Sequence, residues 1–313
     1  MADADKRMRE FVWYHINGDG DCNGQVLRAI ALRKGLSVQD CFDLAYFYST
    51  TYCCASAVFL LENRNRIKRD AVAFAEEYKN KLIFQSDRKY VRMRDTFGRM
   101  LIEWAKMLSK ASGEFNDKFI NRNMVSTGEA IVEVERWYFF KRFSAYLFLE
   151  TYCDILGLTG AHMSGMTYEG DSMTFSGGLF YVFGMDAEAE YVQRHHRLPT
   201  DNAFFEELIR ELQAEVRSAG GDDNFVKLET SLCAYEKFFK GTRYNGYYAD
   251  RQLGELVEMG EREEFVTACD DVYKARQDAI DHQYLGEANG WDGIRKELKT
   301  HYRDTHAIVG YAG

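Results

Sequence analysis

The sequence predicts an all-α protein, and three observations predict it. The 313-residue chain contains a single proline. Proline lacks the N–H that a helix ladder needs, so its depletion points to a backbone committed to helices. Alternating apolar–polar runs long enough for strands are scarce, whereas apolar residues at helical spacing recur. Helix starts and stops also fall where capping chemistry places them. An apolar fraction of 46% and a charged fraction of 28% are those of a globular chain with a substantial core. The prediction is a multi-helix globular domain around a central aromatic-rich helix. It spans 1–255, with 256–313 as an acidic C-terminal helical extension packed on it.

Taken in order, Gln25–Lys34 has helical spacing and stops at Gly35. Ser37, with Asp40 three residues on, caps a long apolar helix to about Glu62. Arg64–Asn80 continues as an amphipathic helix. Phe97–Ser109 is another, with Met100, Leu101, Trp104 and Leu108 on one face. Ser126 and Glu129 repeat the capping pattern and open the longest helical stretch, to about Leu156, closed by Gly157. Its apolar residues occupy nearly all faces, which makes it the central helix of the prediction. His162–Gly178 is rich in glycine and methionine and reads as a loop, the place for a lid. Pro199-Thr200-Asp201 opens a helix over Asn202–Arg217, and Asp222–Lys240 follows, ended by Gly241. A short aromatic segment, Arg243–Arg251, precedes two or three acidic helices. No internal repeat or low-complexity tract appears.

The seven cysteines are odd in number and show no zinc-type spacing, so the reading is buried free thiols in a reducing compartment. Met1–Glu10 is polar and charged, unlike a signal peptide. The most apolar run, Cys41–Leu61, carries Asp43 and several hydroxyl residues. It fits a buried helix better than a membrane span.

The net charge of −9 does not advertise a nucleic-acid binder, but its distribution is uneven. Tyr78–Arg142 carries fourteen Lys/Arg against eight Asp/Glu, an excess of six that leaves the remainder of the chain near −15. This is either one cationic face for a polyanion or uneven solvated helix charge.

Three constellations carry chemistry. Phe84-Gln85-Ser86-Asp87-Arg88-Lys89-Tyr90-Val91-Arg92 clusters Arg88, Lys89 and Arg92, which suits phosphate or pyrophosphate because arginine's planar fork binds two oxygens at once. Asp87 orients an arginine or acts as a base; the competing reading is a solvated helix start with an Asp cap. In Thr242–Arg251, the tyrosines Tyr244, Tyr247 and Tyr248 stand beside Gly246, Arg243 and Arg251. They form either a wall that stacks on a base or an aromatic helix corner with an Asp250–Arg251 ion pair. Glu135-Arg136-Trp137, Lys141-Arg142-Phe143, Tyr146 and Glu150 form the third. There Arg142, Tyr146 and Glu150, like Glu135 and Lys141, are close to helical register, and core packing with internal ion pairs is the stronger reading.

Weaker signals are Gly18-Asp19-Gly20-Asp21, short of a calcium loop, and His195-His196, which lacks a partner carboxylate. Leu156–Gly160 has Thr where a helix-hairpin-helix turn has its second glycine. With no P-loop, no GxGxxG and no GxSxG, kinase, dehydrogenase and hydrolase readings have no support.

Phe11-Val12-Trp13-Tyr14, the FQSDRKYV segment at 84–91, ERWYFFKRFSAYLFLE at 135–150 and LCAYEKFFKGTRYNGYYADRQ at 232–252 together resemble the phage α-glutamyl/putrescinyl-thymine pyrophosphorylases, the amino acid:DNA transferases. The resemblance covers roughly residues 10–255, through helix order and short motifs.

It implies a helical, distantly DNA-glycosylase-like enzyme of the infected host's cytoplasm. Such an enzyme displaces pyrophosphate from 5-(pyrophosphoryloxymethyl)uracil in double-stranded DNA with glycine, glutamate or putrescine. The nucleotide is expected to flip into a pocket, with Tyr244, Tyr247, Tyr248 or Trp137 stacking on it. Arg88, Lys89, Arg243 and Arg251 would stabilise the leaving group, with a divalent metal such as Mg2+ as a compatible aid. Asp250 or Asp87 would take the amine's proton, and Arg142 would hold an amino-acid carboxylate. No cofactor is required by the motifs, and no membrane is implied. On this reading residues 87–92 and 243–251 converge on one cavity, and the acidic C-terminal third faces away from DNA. The alternative is a glycosylase-like base reader without transferase chemistry.

Overall fold

Ser37 accepts the Asp40 N–H while the Asp40 carboxylate accepts the Ser37 N–H, so the predicted capping box opens the helix Val38–Thr51. It follows the helix Asn23–Lys34, which ends on left-handed Gly35 (φ 59°) as its sequence dictates. The structure, a computed structural model, describes residues 2–18, 20–85, 91–120, 127–158, 173–195, 202–223 and 225–285. Among these residues the regular structure is helical throughout, with no strand. None of these helices is long and apolar enough to cross a membrane.

The chain forms two compact units. Of the described residues, the first holds 2–18, 20–21, 173–195, 202–223 and 225–250, and the second 22–85, 91–120, 127–158 and 251–285. One boundary falls between Asp250 and Arg251, inside the helix Tyr247–Gly260.

In the first unit, the helix Met173–Val182 lies along Phe225–Phe239, and Ala2–Asn17 packs on both and on Asn202–Ser218. Gly177 and Gly178 permit the close approach. A β-carbon on Gly178 would stand 2.0 Å from the Leu232 carbonyl oxygen. Phe11, Tyr14, Leu179, Phe180, Leu232 and Tyr235 fill the core. The loop read over 162–178 is thereby corrected at its end. Residues from Met173 are helical, because the small residues Ser176, Gly177 and Gly178 serve helix packing rather than loop freedom. Residues 162–172 lie outside the described residues.

In the second unit, every residue from Cys41 to Thr51 is buried. This helix packs on Arg142–Leu156, Cys54–Glu62, Val91–Glu103 and Ser112–Phe115. Its buried hydroxyls donate back to the backbone, Ser49 to the Ala45 carbonyl (2.8 Å) and Thr51 to Phe47 (2.9 Å), which removes the cost of burying them unpaired. Val266–Ala279 packs on Asn23–Lys34 and Cys54–Glu62.

Three predicted long helices are broken. The run from Ser37 to Glu62 turns at Tyr52, in the left-handed region at φ 52°, before restarting at Cys54. Arg64–Asn80 divides at Asp70, whose carboxylate caps Ala73. The stretch from Ser126 to Leu156 is two helices, Thr127–Glu135 and Arg142–Leu156. Between them Phe139 adopts φ 66°, and Glu103 accepts the freed Tyr138 N–H. Glu135 and Lys141 therefore do not share a helix face. Gly157 closes the second of these helices at φ 71°, as predicted. The amphipathic 97–109 segment begins earlier, at Val91, and widens into a π-helix over Trp104–Leu108.

Candidate functional site

The segments singled out from sequence supply two clusters, one in each unit. In the first unit, Gly241 (φ 62°) ends the helix Phe225–Phe239, with the Thr242 N–H bonded to the Lys237 carbonyl at 3.0 Å. Gly246, at φ 92°, makes the next turn, and its carbonyl accepts the Asp250 N–H at 3.0 Å to start Tyr247–Gly260. A residue with a β-carbon is strained at such a φ. The turn packs its rings edge to face: Tyr244 on Tyr247 at 5.6 Å and Tyr247 on Tyr248 at 5.5 Å. The Arg243 guanidinium lies 3.8 Å from the Tyr247 ring centroid. The Tyr244 hydroxyl donates to Asp250 Oδ2 at 2.9 Å, and Asp250 is fully buried. Tyr244 and Tyr248 are buried and Tyr247 half-buried. The three rings form a packed cluster, in which Tyr247 alone keeps partial exposure and Arg243 lies over it.

In the second unit the cluster centres on Arg251, Tyr52 and Glu255. Arg251 stands one helical turn before Glu255, with Nε 3.3 Å from Oε1, and both side chains are buried, 5% and 4% exposed. Its guanidinium carbon lies 4.5 Å from the Tyr52 ring centroid. The backbone break at Tyr52 presents this ring. Tyr48 packs on it at 5.5 Å and the half-buried Phe143 meets it edge-on at 6.4 Å. The Gln85 side-chain amide donates to Glu255 Oε1, and its backbone N–H donates to the Thr51 carbonyl at 3.0 Å.

A buried polar chain fixes the rotation of the Arg251-bearing helix. Gln252 donates to Asn23 Oδ1 (2.9 Å) and accepts from Arg276 (3.2 Å), and Arg276 also donates to the Leu285 carbonyl (2.8 Å). A buried cation with such partners is costly to misplace.

Among the remaining candidates, Trp137 is a core residue. It packs against Phe42, Tyr46, Phe115, Phe140 and Phe148, with centroids 4.9–6.0 Å away. It is 8% exposed among these rings. Tyr146 is half-buried on Arg142–Leu156. Arg142 begins that helix and Arg92 lies in the first turn of Val91–Glu103; their side chains, like all of Asp87, Arg88 and Lys89, lie outside the described residues. Asp19, Thr159, Gly160 and His196 do so too. His195 ends the helix Asp186–His195 with its ring 4.6 Å from Tyr191.

Sequence reasoning missed Tyr52 and Glu255. Glu255 carried a signal, the four-residue spacing from Arg251; Tyr52 carried none. All seven cysteines are buried free thiols. Burial pushes Cys41 and Cys269 up to about 11 and Cys153 to about 12, so these thiols stay protonated. Among the described residues no group of three His, Cys, Asp or Glu could hold a metal.

No family model, curated protein or solved structure matches this chain.

Proposed function

We propose that this protein attaches an amino acid or polyamine to an activated thymine in DNA, displacing pyrophosphate from 5-(pyrophosphoryloxymethyl)uracil. The observation that carries the reading lies within the second unit. Three of the four segments behind the resemblance reach the same place: the 84–91 segment through Gln85, the 135–150 segment through Phe143 and the 232–252 segment through Arg251. Segments so distant in sequence need a reason to meet on a buried arginine, an acid and a tyrosine ring, and anion binding supplies one.

In the proposed reaction the amine lone pair attacks the exocyclic methylene carbon. The C–O bond breaks, and diphosphate leaves with the electron pair. Arg251, with Arg88 and Lys89 three and four residues after Gln85, offsets the charge that develops on the leaving group. The amine's proton passes to a carboxylate, Asp87 of the 84–91 segment. Arg142 receives the carboxylate of an amino-acid donor. A divalent cation such as Mg2+ is compatible with the leaving group, and the reading does not depend on one.

The test measures pyrophosphate released from DNA carrying the activated base, with a mixture of glycine, glutamate and putrescine. Release is expected, falling roughly ten- to a hundredfold in Arg251→Lys, which keeps the charge but loses the fork. A folded wild-type protein that binds this DNA and releases no pyrophosphate refutes the transferase reading in favour of a base reader.

A further inference from the structure

The surface cations of this protein fall into two populations. Several are neutralised by a neighbouring carboxylate: Arg7 by Asp186, Arg64 by Asp40, Arg66 by Glu77, Lys79 by Glu76, Lys81 by Glu264 and Arg217 by Asp223. Others are exposed and, among the described residues, in no ion pair; in the second unit these are Arg28 on Asn23–Lys34, Lys274 on Val266–Ala279, and Lys68, Arg69, Arg99, Lys106, Lys110 and Lys141, the last six gathered on adjoining elements.

Contacts join the elements that carry them. Arg64–Arg69 packs on Val91–Glu103 and on the π-helix Trp104–Leu108. Lys68 Nζ sits 5.3 Å from the Trp104 ring centroid, and the Arg99 guanidinium carbon sits 4.6 Å from that of Tyr138. The Glu103 carboxylate ties the 136–141 turn to the end of the same helix through the Tyr138 N–H. Buried Asp43 acts on Lys68, and four further carboxylates nearby are engaged by other groups. Asp70 caps a helix, Glu77 pairs with Arg66, Glu103 holds Tyr138, and Glu133 is paired with Arg136. The π-turn, marked by the Ser109 N–H bonded to the Trp104 carbonyl at 2.9 Å, inserts an extra residue and carries exposed Lys106 and Met107.

We propose that this surface, built by residues 64–69, 99–110 and 136–141, grips the sugar–phosphate backbone of double-stranded DNA without reading its sequence. A set of cations left unpaired in a chain of net charge −9 is poised to exchange its counterions for phosphates. Exposed lysines and arginines on several adjoining elements suit an extended polyanion rather than a single small phosphate, which needs a converging pocket. The inference names the partner surface for the transferase reading and rests on it only for the choice of DNA.

The test is fluorescence anisotropy of the full chain with an ordinary, unmodified duplex of about twenty base pairs across a salt series. In Arg69→Gln/Lys106→Gln/Lys110→Gln the log–log salt slope is expected to fall by about three, with affinity down at least about tenfold near 0.1 M salt. The control Lys34→Gln/Lys79→Gln/Lys227→Gln removes the same charge from ion-paired positions and is expected to bind like wild type. Equal losses in both triple variants, or none in the first, overturn the proposal. So does a first variant that loses binding to phosphatidylserine vesicles while keeping duplex binding. Because ordinary duplex has no leaving group, variant-sensitive binding without pyrophosphate release leaves this surface standing and the transferase reading fallen. Transfer with unchanged DNA KM in the first variant does the reverse.

Discussion

Asp43 illustrates how one residue couples packing to pH. It is 1% exposed inside the second unit, where its Oδ1 accepts from Trp104 Nε1 (2.9 Å) and Gln39 Nε2 (2.7 Å). Burial raises its carboxyl to about 6, and the two hydrogen bonds only partly oppose that. The folded protein therefore holds this proton more tightly than the unfolded chain. Stability falls as pH rises between the ordinary carboxylate value and about 6, and the ionised form costs about 3 kcal/mol at neutral pH. Asp43→Asn keeps an oxygen for both donors and is expected to raise the melting temperature above pH 6 while losing the advantage near pH 4. A variant less stable than wild type at pH 7.5 contradicts this. Arg251 and Glu255 form a buried ion pair, whose desolvation makes it weak evidence for stability. Replacing both together, as Arg251→Met/Glu255→Leu, is expected to leave chemical-denaturation stability within about 1–2 kcal/mol of wild type and to abolish pyrophosphate release. Severe unfolding would assign the pair to the core. Asp250 and Arg251 were visible in the sequence because a motif carried them. Tyr52 was not, since a left-handed tyrosine follows from tertiary packing and no local residue type announces it.

At the scale of elements, the stops were legible where glycine makes them. Gly35, Gly157 and Gly241 all take positive φ at helix ends. The breaks at Tyr52, Asp70 and Phe139 were not, because neither proline nor glycine marks them and the apolar pattern continues across each. Small residues misled in the other direction, since glycine serves both loops and close helix contacts. Gly178 separates the two uses. In a helix interior Gly→Ala gains up to about 1 kcal/mol, but here the new β-carbon would meet a backbone oxygen that no rotamer change can move. Overpacking of about 1–3 kcal/mol should win, so Gly178→Ala is expected to lower the denaturation midpoint. Gly113→Ala, whose β-carbon meets nothing within 4 Å, is expected to leave it equal or higher. An unchanged Gly178→Ala protein would mean that the two helices are not in close contact.

For the whole molecule, the all-α class followed from proline depletion and periodicity, whereas the division into units did not. Each unit gathers segments far apart in the chain, and a helix crosses from one to the other at Asp250–Arg251. Local pattern carries no record of such long-range assembly. The charge asymmetry was legible as a count, but which cations stay unpaired emerged only once their neighbours were placed. The proposed reaction makes a new C–N bond at the methylene of an activated thymine. Its most direct test is mass spectrometry of the nucleosides recovered from pyrophosphorylated DNA after incubation with the protein and a mixture of amino acids and polyamines. The predicted result is a thymidine derivative heavier by one amine or amino-acid substituent, absent with Arg251→Ala. A nucleoside profile unchanged by folded wild-type protein contradicts the account.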